Sequence, residues 1–311
     1  MSSPDITRQN KLKKAAASAS IALAGTLIVL KSLGVFYTGS LAVLSSVIDS
    51  LADLFASAVT YVAVRVSSQP ADPKHRYGHG KAEALSALLQ AAFIMGSGLF
   101  VLYDGIRRFF YPQPLEQTGF GIGVMTVSLI LTLALIVFQR HVARRTNSQA
   151  IRADAAHYTV DVITNISIIL TLSIVSLTGL GWFDTLAAIA VAAYLLLNAH
   201  KLAKDAVALL MDKELGGNIR EKVEKLVLNC SHVEGLHDLR TRDLGGQYMF
   251  ELHLELDGRL TLFEAHKYSD EVENRIKQTF PNAQVIIHQD PAGLFEKRLD
   301  TEIDSTRNNR P

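Results

Sequence analysis

The sequence predicts an α-helical membrane protein of six transmembrane helices followed by a small α+β ferredoxin-like cytoplasmic domain. Charge is distributed unevenly: the first 211 of 311 residues carry 17 Lys/Arg and 11 Asp/Glu, whereas the remaining hundred carry 14 and 19. The charge-poor part holds apolar runs of the length a bilayer core demands, roughly 20 helical residues for about 30 Å. The charge-rich part shows both strand and helix periodicity. A net charge of +1 gives no electrostatic case for a nucleic-acid partner. Cys230 is the single cysteine, which excludes an intramolecular disulfide framework and a Cys-rich zinc module.

The expected organisation is a cytoplasmic N-terminal tail (1–12), a six-helix transmembrane domain (13–211), a ferredoxin-like cytoplasmic domain (212–292) and a disordered tail (293–311). The spans read at 13–36, 41–66, 82–106, 119–140, 150–177 and 183–208. The fourth is the cleanest, with no charged residue from Gly119 through Phe138. Lys11, Lys13 and Lys14 before the first span resemble a signal-peptide n-region, but Ser-rich helix runs past any cleavage site and further spans follow. Basic residues set the orientation. Arg8, Lys11, Lys13, Lys14, Arg65, Lys74, Arg76, Lys81, Arg140, Arg144, Arg145 and Arg152 fall on one side, Arg107 and Arg108 on the other. Both termini are therefore expected in the cytoplasm of a multi-pass membrane protein.

The last hundred residues read α-β-β-α-β. Ile219, Val223, Leu226, Val227 and Cys230 recur at helical spacing. Tyr248, Phe250, Leu252, Leu254 and Leu256 alternate with Met249, Glu251, His253 and Glu255, the period of a half-buried strand. Thr261-Leu-Phe-Glu264 is a capping box that opens a helix carrying Val272, Ile276 and Phe280. Pro281-Asn282 ends it, and Val285–His288 forms a closing strand. Two helices on one face of three strands make a ferredoxin-like variant. Beyond Ala292 the chain is polar and aperiodic.

Four ionisable residues stand where lipid is expected. Asp49 and Asp53 in the second span, and His157 and Asp161 in the fifth, are each spaced i, i+4 and share a helix face. One Asp at the bilayer centre costs about 2.5–3.5 kcal/mol on insertion scales. The nearest basic residue is Lys31 on the first span, which could snorkel to the interface. A divalent cation would satisfy all four, and three carboxylates with one imidazole suit tetrahedral zinc. The alternative is that these groups line a water cavity or hydrogen-bond between helices. In the loop that follows the second span, Asp72, His75 and His79 could also hold a metal or simply be solvated. His237, His253, His266, His288 and Asp290 could converge in the soluble domain; singly, each histidine reads as a surface residue. His141, His200 and His232 have no evident partner.

These residues carry a family resemblance. Tyr37-Thr-Gly-Ser-Leu-Ala-Val-Leu-Ser-Ser-Val-Ile-Asp49-Ser-Leu-Ala-Asp53, Tyr77-Gly-His79-Gly-Lys81-Ala-Glu83, Arg152-Ala-Asp-Ala-Ala-His157-Tyr-Thr-Val-Asp161 and Ile287-His288-Gln-Asp290-Pro resemble the cation diffusion facilitator family, from about residue 11 to Pro291. The resemblance implies a homodimeric, proton-coupled exporter of divalent metal in the bacterial inner membrane, embedded in lipid. It implies a transport site at Asp49, Asp53, His157 and Asp161, and a loop site at Asp72, His75 and His79. It also implies a binuclear cytoplasmic site at His237, His253, His266, His288 and Asp290, bridged by Asp290. Lys81 and Asp212 match a charged interlock near the dimer axis. Pro73 stands where relatives can carry a second acidic residue, which leaves the loop site one carboxylate.

Other classes meet specific objections. No HExxH supports an intramembrane metalloprotease, and no output module supports a metal sensor. A channel would conduct regardless of the proton gradient. No GxxxxGK[ST] loop is present, so proton exchange is the remaining driving force. His157 is the expected coupling group, because an unperturbed imidazole titrates at about 6.5. Asp/His donors favour Zn²⁺ as cargo and as bound structural metal, accommodate Cd²⁺, and bind Fe²⁺ and Mn²⁺ more weakly, with an exporter of the same fold that prefers Fe²⁺ or Mn²⁺ as the alternative where cellular supply decides the cargo.

Overall fold

The computed structural model describes residues 4–38, 41–110, 119–178, 182–295 and 297–308. The chain divides into two compact units after Leu210. The expected basic-free turns at 37–40 and 178–184 lie partly outside the described residues.

The first unit contains six long helices: α1 (Pro4–Thr38), α2 (Leu41–Ser67), α3 (Ala82–Phe110), α4 (Gly119–Thr146), α5 (Gln149–Thr178) and α6 (Trp182–Leu210). They coincide with the six predicted spans. Among the described residues, α1, α2, α3, α4 and α6 each contain a stretch long and apolar enough to cross a membrane. α5, at 30 residues, would reach about 45 Å at the α-helical rise, but its first half carries Arg152, Asp154, His157 and Asp161. Residues 4–12, expected as a tail, belong to α1. Pro4 is compatible with a first helical turn, and no glycine or further proline interrupts the chain until Gly25.

Packing explains why α5 is the polar helix. It touches each of the other five helices, while α3 runs along α6 and α1 along α2. Small residues let these seams close: Ala16, Ala17, Ala150 and Ala153 are fully buried, and a Cβ at Gly105 would overlap Ala188. Phe100, Tyr103, Val137 and Leu197 remain exposed on the outer surface of this unit, where lipid tails would cover them. At one end of the bundle Glu83, in the first turn of α3, accepts from Lys13 of α1 at 2.8 Å and from Ser67 of α2 and Ser148 just before α5. Only 5% of Glu83 is exposed, so one buried carboxylate ties α1, α2, α3 and the start of α5 together.

The second unit runs α7 (Gly217–Leu228), β1 (Gly235–Asp243), β2 (Tyr248–Leu256), α8 (Leu262–Thr279), β3 (Gln284–Pro291) and α9 (Leu299–Asn308). The sheet order is β1-β2-β3; β1 pairs antiparallel with β2, and β2 parallel with β3. α8 supplies the crossover that parallel pairing requires. The alternation in β2 sends Phe250, Leu252, Leu254 and Leu256 into one core with Val223 and Val227 of α7 and Val272 and Ile276 of α8. The predicted capping box is present: Thr261 accepts from the Glu264 amide and Glu264 accepts from the Thr261 amide, an arrangement worth about 1 kcal/mol. The expectation of a disordered tail after residue 292 is corrected, because α9 packs against β1. Its first turn is capped by Asp238, some sixty residues upstream, so no local pattern announces it.

Removing one partner of a buried ion pair strands the other charge, at a cost of about 3–5 kcal/mol. Glu83→Ala should therefore lower the thermal midpoint of the detergent-solubilised protein markedly. The apolar double variant Lys13→Met/Glu83→Leu should recover much of the loss, measured by tryptophan-fluorescence or size-exclusion melting. Equal damage in both would mean that packing, not charge, matters there.

Candidate metal centres

The described residues contain three groups of His and Asp side chains whose donor atoms lie within 4.8 Å of one another. The first is Asp53 of α2 with His157 and Asp161 of α5. His157 Nε2 and Asp53 Oδ1 are 3.1 Å apart, and His157 is only 7% exposed. His157 Nδ1 and Asp161 Oδ2 are buried without a hydrogen-bond partner. Buried polar atoms are normally satisfied, so two orphans on residues of one cluster leave donor capacity for a cation. Asp49, one turn before Asp53, is exposed and outside the group; the structure brings three of the four expected residues together. Lys31 donates to Ser50 Oγ at 2.7 Å.

A further buried carboxylate adjoins this cluster. Asp154, one turn before His157, accepts from Ser20 Oγ of α1 and Gln139 Nε2 of α4, both at 2.6 Å. All three residues are fully buried. Asp154 escaped the sequence reading. Its signal was the i, i+3 spacing to His157, which places both on neighbouring positions of one helix.

The second group is the loop set. Asp72 Oδ1 accepts from the Lys74 and His75 amides at 2.8 and 2.6 Å, an Asx turn that fixes its carboxylate. These amides, His75 first, hold the Asp72 carboxyl below its usual range, so it is ionised at neutral pH. Gly78, at φ +84°, turns the chain so that His79 Nε2 comes within 3.1 Å of His75 Nδ1 and 3.4 Å of Asp72 Oδ2. Donors from one short loop thus converge, although His75 and Asp72 are exposed.

The third group is built by strand register. His237 pairs with His253 across β1 and β2, and His253 with His288 across β2 and β3, giving three imidazoles in a row. They lie on the face opposite the apolar residues of β2. Asp290, two residues beyond His288, is 6% exposed and reaches all three. One oxygen lies 2.8 Å from His253 Nδ1 and 3.6 Å from His237 Nε2; the other lies 3.2 Å from His288 Nε2. Two imidazoles and a carboxylate with an open fourth position suit a divalent cation. His266 stands apart, on α8, 3.6 Å from Asp270. Asp212 is ion-paired at 3.2 Å with Arg242 of β1.

Glu255, read from sequence only as a polar strand position, is part of this third arrangement. Its Oε1 lies 3.0 Å from His237 Nδ1, the nitrogen turned away from Asp290. Gly235 is its cross-strand partner, and a Cβ there would come within 2.8 Å of the Glu255 carboxylate. Glycine at 235 therefore makes room for the contact.

Comparisons with known proteins agree with this architecture. Residues 17–211 match the family model described as the cation efflux transmembrane domain, and residues 215–292 match the cation efflux protein cytoplasmic domain. A cation-efflux pump FieF of Yersinia enterocolitica is 42% identical over 287 residues, covering 92% of this chain and 95% of that protein. A cation-efflux pump FieF of Salmonella newport is 42% identical over 292 residues, again covering 92% and 95%. A solved structure described as "Mode of Action of a Putative Zinc Transporter CzrB" aligns at 32% identity and a TM-score of 0.25, covering 25% of this chain and 99% of that one. With a membrane domain and a cytoplasmic domain both matched along nearly its whole length, the chain belongs to the cation efflux, or cation diffusion facilitator, family of metal-exporting membrane transporters, and is not an enzyme.

Proposed function

We propose that the protein exports Zn²⁺ from the cytoplasm across the bacterial inner membrane in exchange for protons, with Cd²⁺ and Fe²⁺ as weaker cargo. The observation that carries this reading is the convergence of Asp53, His157 and Asp161 from two helices of an apolar bundle. Carboxylate and imidazole together suit zinc and disfavour a Cu(I) specialist, which would use thiolate or thioether donors. Asp49 completes the tetrahedral set when cargo arrives; it lies one turn from Asp53 and needs a change of rotamer or a small helix adjustment to join.

The loop set Asp72, His75 and His79 serves as a second zinc site close to the cytoplasm. The row His237, His253 and His288 with Asp290 holds zinc for structure and regulation, Asp290 bridging two ions; His266, which stands apart on α8 beside Asp270, must move to complete the second. The protein works as a homodimer, held in part by Lys81 and Asp212, with both termini in the cytoplasm. Asp212 shares its carboxylate with Arg242, which tempers the weight of that interlock.

Protons supply the drive. The transport-site ligands must be free of protons to bind metal, so protons and zinc compete for the same groups. A site facing the cytoplasm releases protons and takes zinc; facing the more acidic side, it takes protons and releases zinc. His157 is the coupling group, since imidazole changes charge near physiological pH.

Reconstituted vesicles test these assignments. Asp161→Ala should abolish zinc-dependent proton flux while leaving a folded protein, since it opens the ligand set without removing apolar packing. Normal flux in that variant would refute the transport site. In the unaltered protein zinc affinity should fall as pH drops from about 7.5 to about 5.5, a window centred on the ordinary imidazole value. His157→Ala should flatten that profile, and an unchanged profile would move the coupling proton to a carboxylate.

The cytoplasmic assignment has its own measurement. Asp290→Ala should lower the melting temperature of the zinc-loaded protein more than that of the chelator-treated protein, because ligand binding stabilises by mass action. Equal losses in the two states would reduce Asp290 to a structural carboxylate.

A further inference from the structure

The last helix, α9, reaches the cytoplasmic cluster through two separate links. The first is electrostatic. Arg298, immediately before α9, places Nη2 2.6 Å from Glu255 Oε1, the same oxygen that lies 3.0 Å from His237 Nδ1. Glu255 is largely shielded, with 15% of its side chain exposed. With its Nδ1 proton donated to Glu255, His237 presents the lone pair of Nε2 toward Asp290. This is the carboxylate–histidine–metal order that fixes the tautomer and orientation of a ligating imidazole.

The second link runs through the backbone. The β1–β2 register is irregular between His237 and Arg240, and Asp238 in that bulge sits at φ +51°. Both oxygens of Asp238 accept from the first turn of α9: Oδ2 from the Leu299 amide and Oδ1 from the Asp300 amide, each at 3.0 Å. Asp300 Oδ2 accepts in return from the Asp238 amide at 2.8 Å, and Arg220 of α7 lies 3.5 Å from its other oxygen. Each carboxylate oxygen of Asp238 thus takes one amide of the first turn of α9, a cap supplied from another element. The residue that starts α9 is therefore the chain neighbour of His237.

Little apolar surface holds α9 down. Phe295 is fully exposed and Ile303 is 53% exposed. A helix of 10 residues is marginal by itself, since isolated helices shorter than about 12–15 residues are marginally stable in water. Its order depends on the polar links to Asp238, the chain neighbour of His237, and to Glu255, the carboxylate that meets the His237 ring.

We propose that α9 is a latch whose docking on β1 and cation binding at His237, His253 and Asp290 reinforce each other, with Arg298 as a positioning residue acting through Glu255. The inference rests on the reading of that cluster as a metal site. By linkage, a docked α9 raises cation affinity, and bound cation raises the docked-to-undocked ratio of α9 by the same factor. Loss of an outer-sphere partner of a metal-bound histidine typically lowers affinity about 10- to 100-fold.

Hydrogen–deuterium exchange on the full chain in detergent, titrated with zinc, tests this locally. In the unaltered protein exchange should slow in both 284–291 and 299–308 with a common zinc midpoint. Arg298→Gln and, separately, Glu255→Gln should raise the midpoint read at 284–291 about 10- to 100-fold, and Arg298→Lys should shift it less. Unchanged exchange in 249–256 would show that the domain core stays folded in each variant. Zinc protection at 284–291 with none at 299–308, or an unmoved midpoint in both Gln variants, would overturn the latch alone. Absence of any zinc response at 284–291 in the unaltered protein would instead overturn the metal site on which it depends.

Discussion

The structure of the first unit depends on the cost of placing ionisable groups inside an apolar helix bundle. Three carboxylates find partners across helix seams, and those contacts help fix which helices meet. Asp154 finds Ser20 and Gln139, joining α5 to α1 and α4. Glu83 finds Lys13, Ser67 and Ser148. Asp53 finds His157, joining α2 to α5. Helices in lipid have no hydrophobic drive to associate, so such contacts and close packing of small residues must specify the arrangement. The polar residues of α5 are thus consistent with its central place, where it touches every other helix of the unit.

The soluble unit answers a different constraint. Strand alternation buries Phe250, Leu252, Leu254 and Leu256 beneath two helices and leaves the opposite face for His253 and Glu255. Register then does what spacing along one chain cannot. It aligns His237, His253 and His288, which are far apart in sequence, and sets Asp290 and Glu255 in the next row. Hydrogen bonds along the strands hold the row, so donor geometry is inherited from the sheet.

Much of this was legible in the sequence, and the failures have physical causes. Long apolar runs disclosed the six helices, and alternation disclosed β2, because both signals are local and periodic. The i, i+4 pairs disclosed a shared face on α2 and on α5, but a helix face says nothing of the distance across to a neighbour. Asp49 and Asp53 look equivalent in sequence, yet only Asp53 approaches His157. His266 was grouped with the other histidines, but α8 packs on the apolar face and the row lies on the other. α9 was missed because its cap comes from Asp238, and Glu255 was missed because a glutamate on a polar strand face ordinarily meets water.

Two of the three candidate metal-ligand arrangements, that of the bundle and that of the sheet, differ in how their donors are held, and the difference matches the role proposed for each. Asp53 and His157 lie on separate helices whose spacing is set by side-chain packing, and His157 Nδ1 and Asp161 Oδ2 lack partners. A shift of α2 against α5 would alter every cross-helix distance in that cluster while breaking only one hydrogen bond of the cluster, that between His157 and Asp53. A transporter needs a site of this kind, because cargo that binds on one side must leave on the other. His237, His253 and Asp290 are fixed by a continuous backbone ladder, and Glu255 orients His237 from outside. No shift of one strand is available without losing ladder hydrogen bonds, so that site suits a cation that stays. Incomplete satisfaction in the bundle and redundant support on the sheet are thus two answers to one chemistry, the first permitting release and the second resisting it.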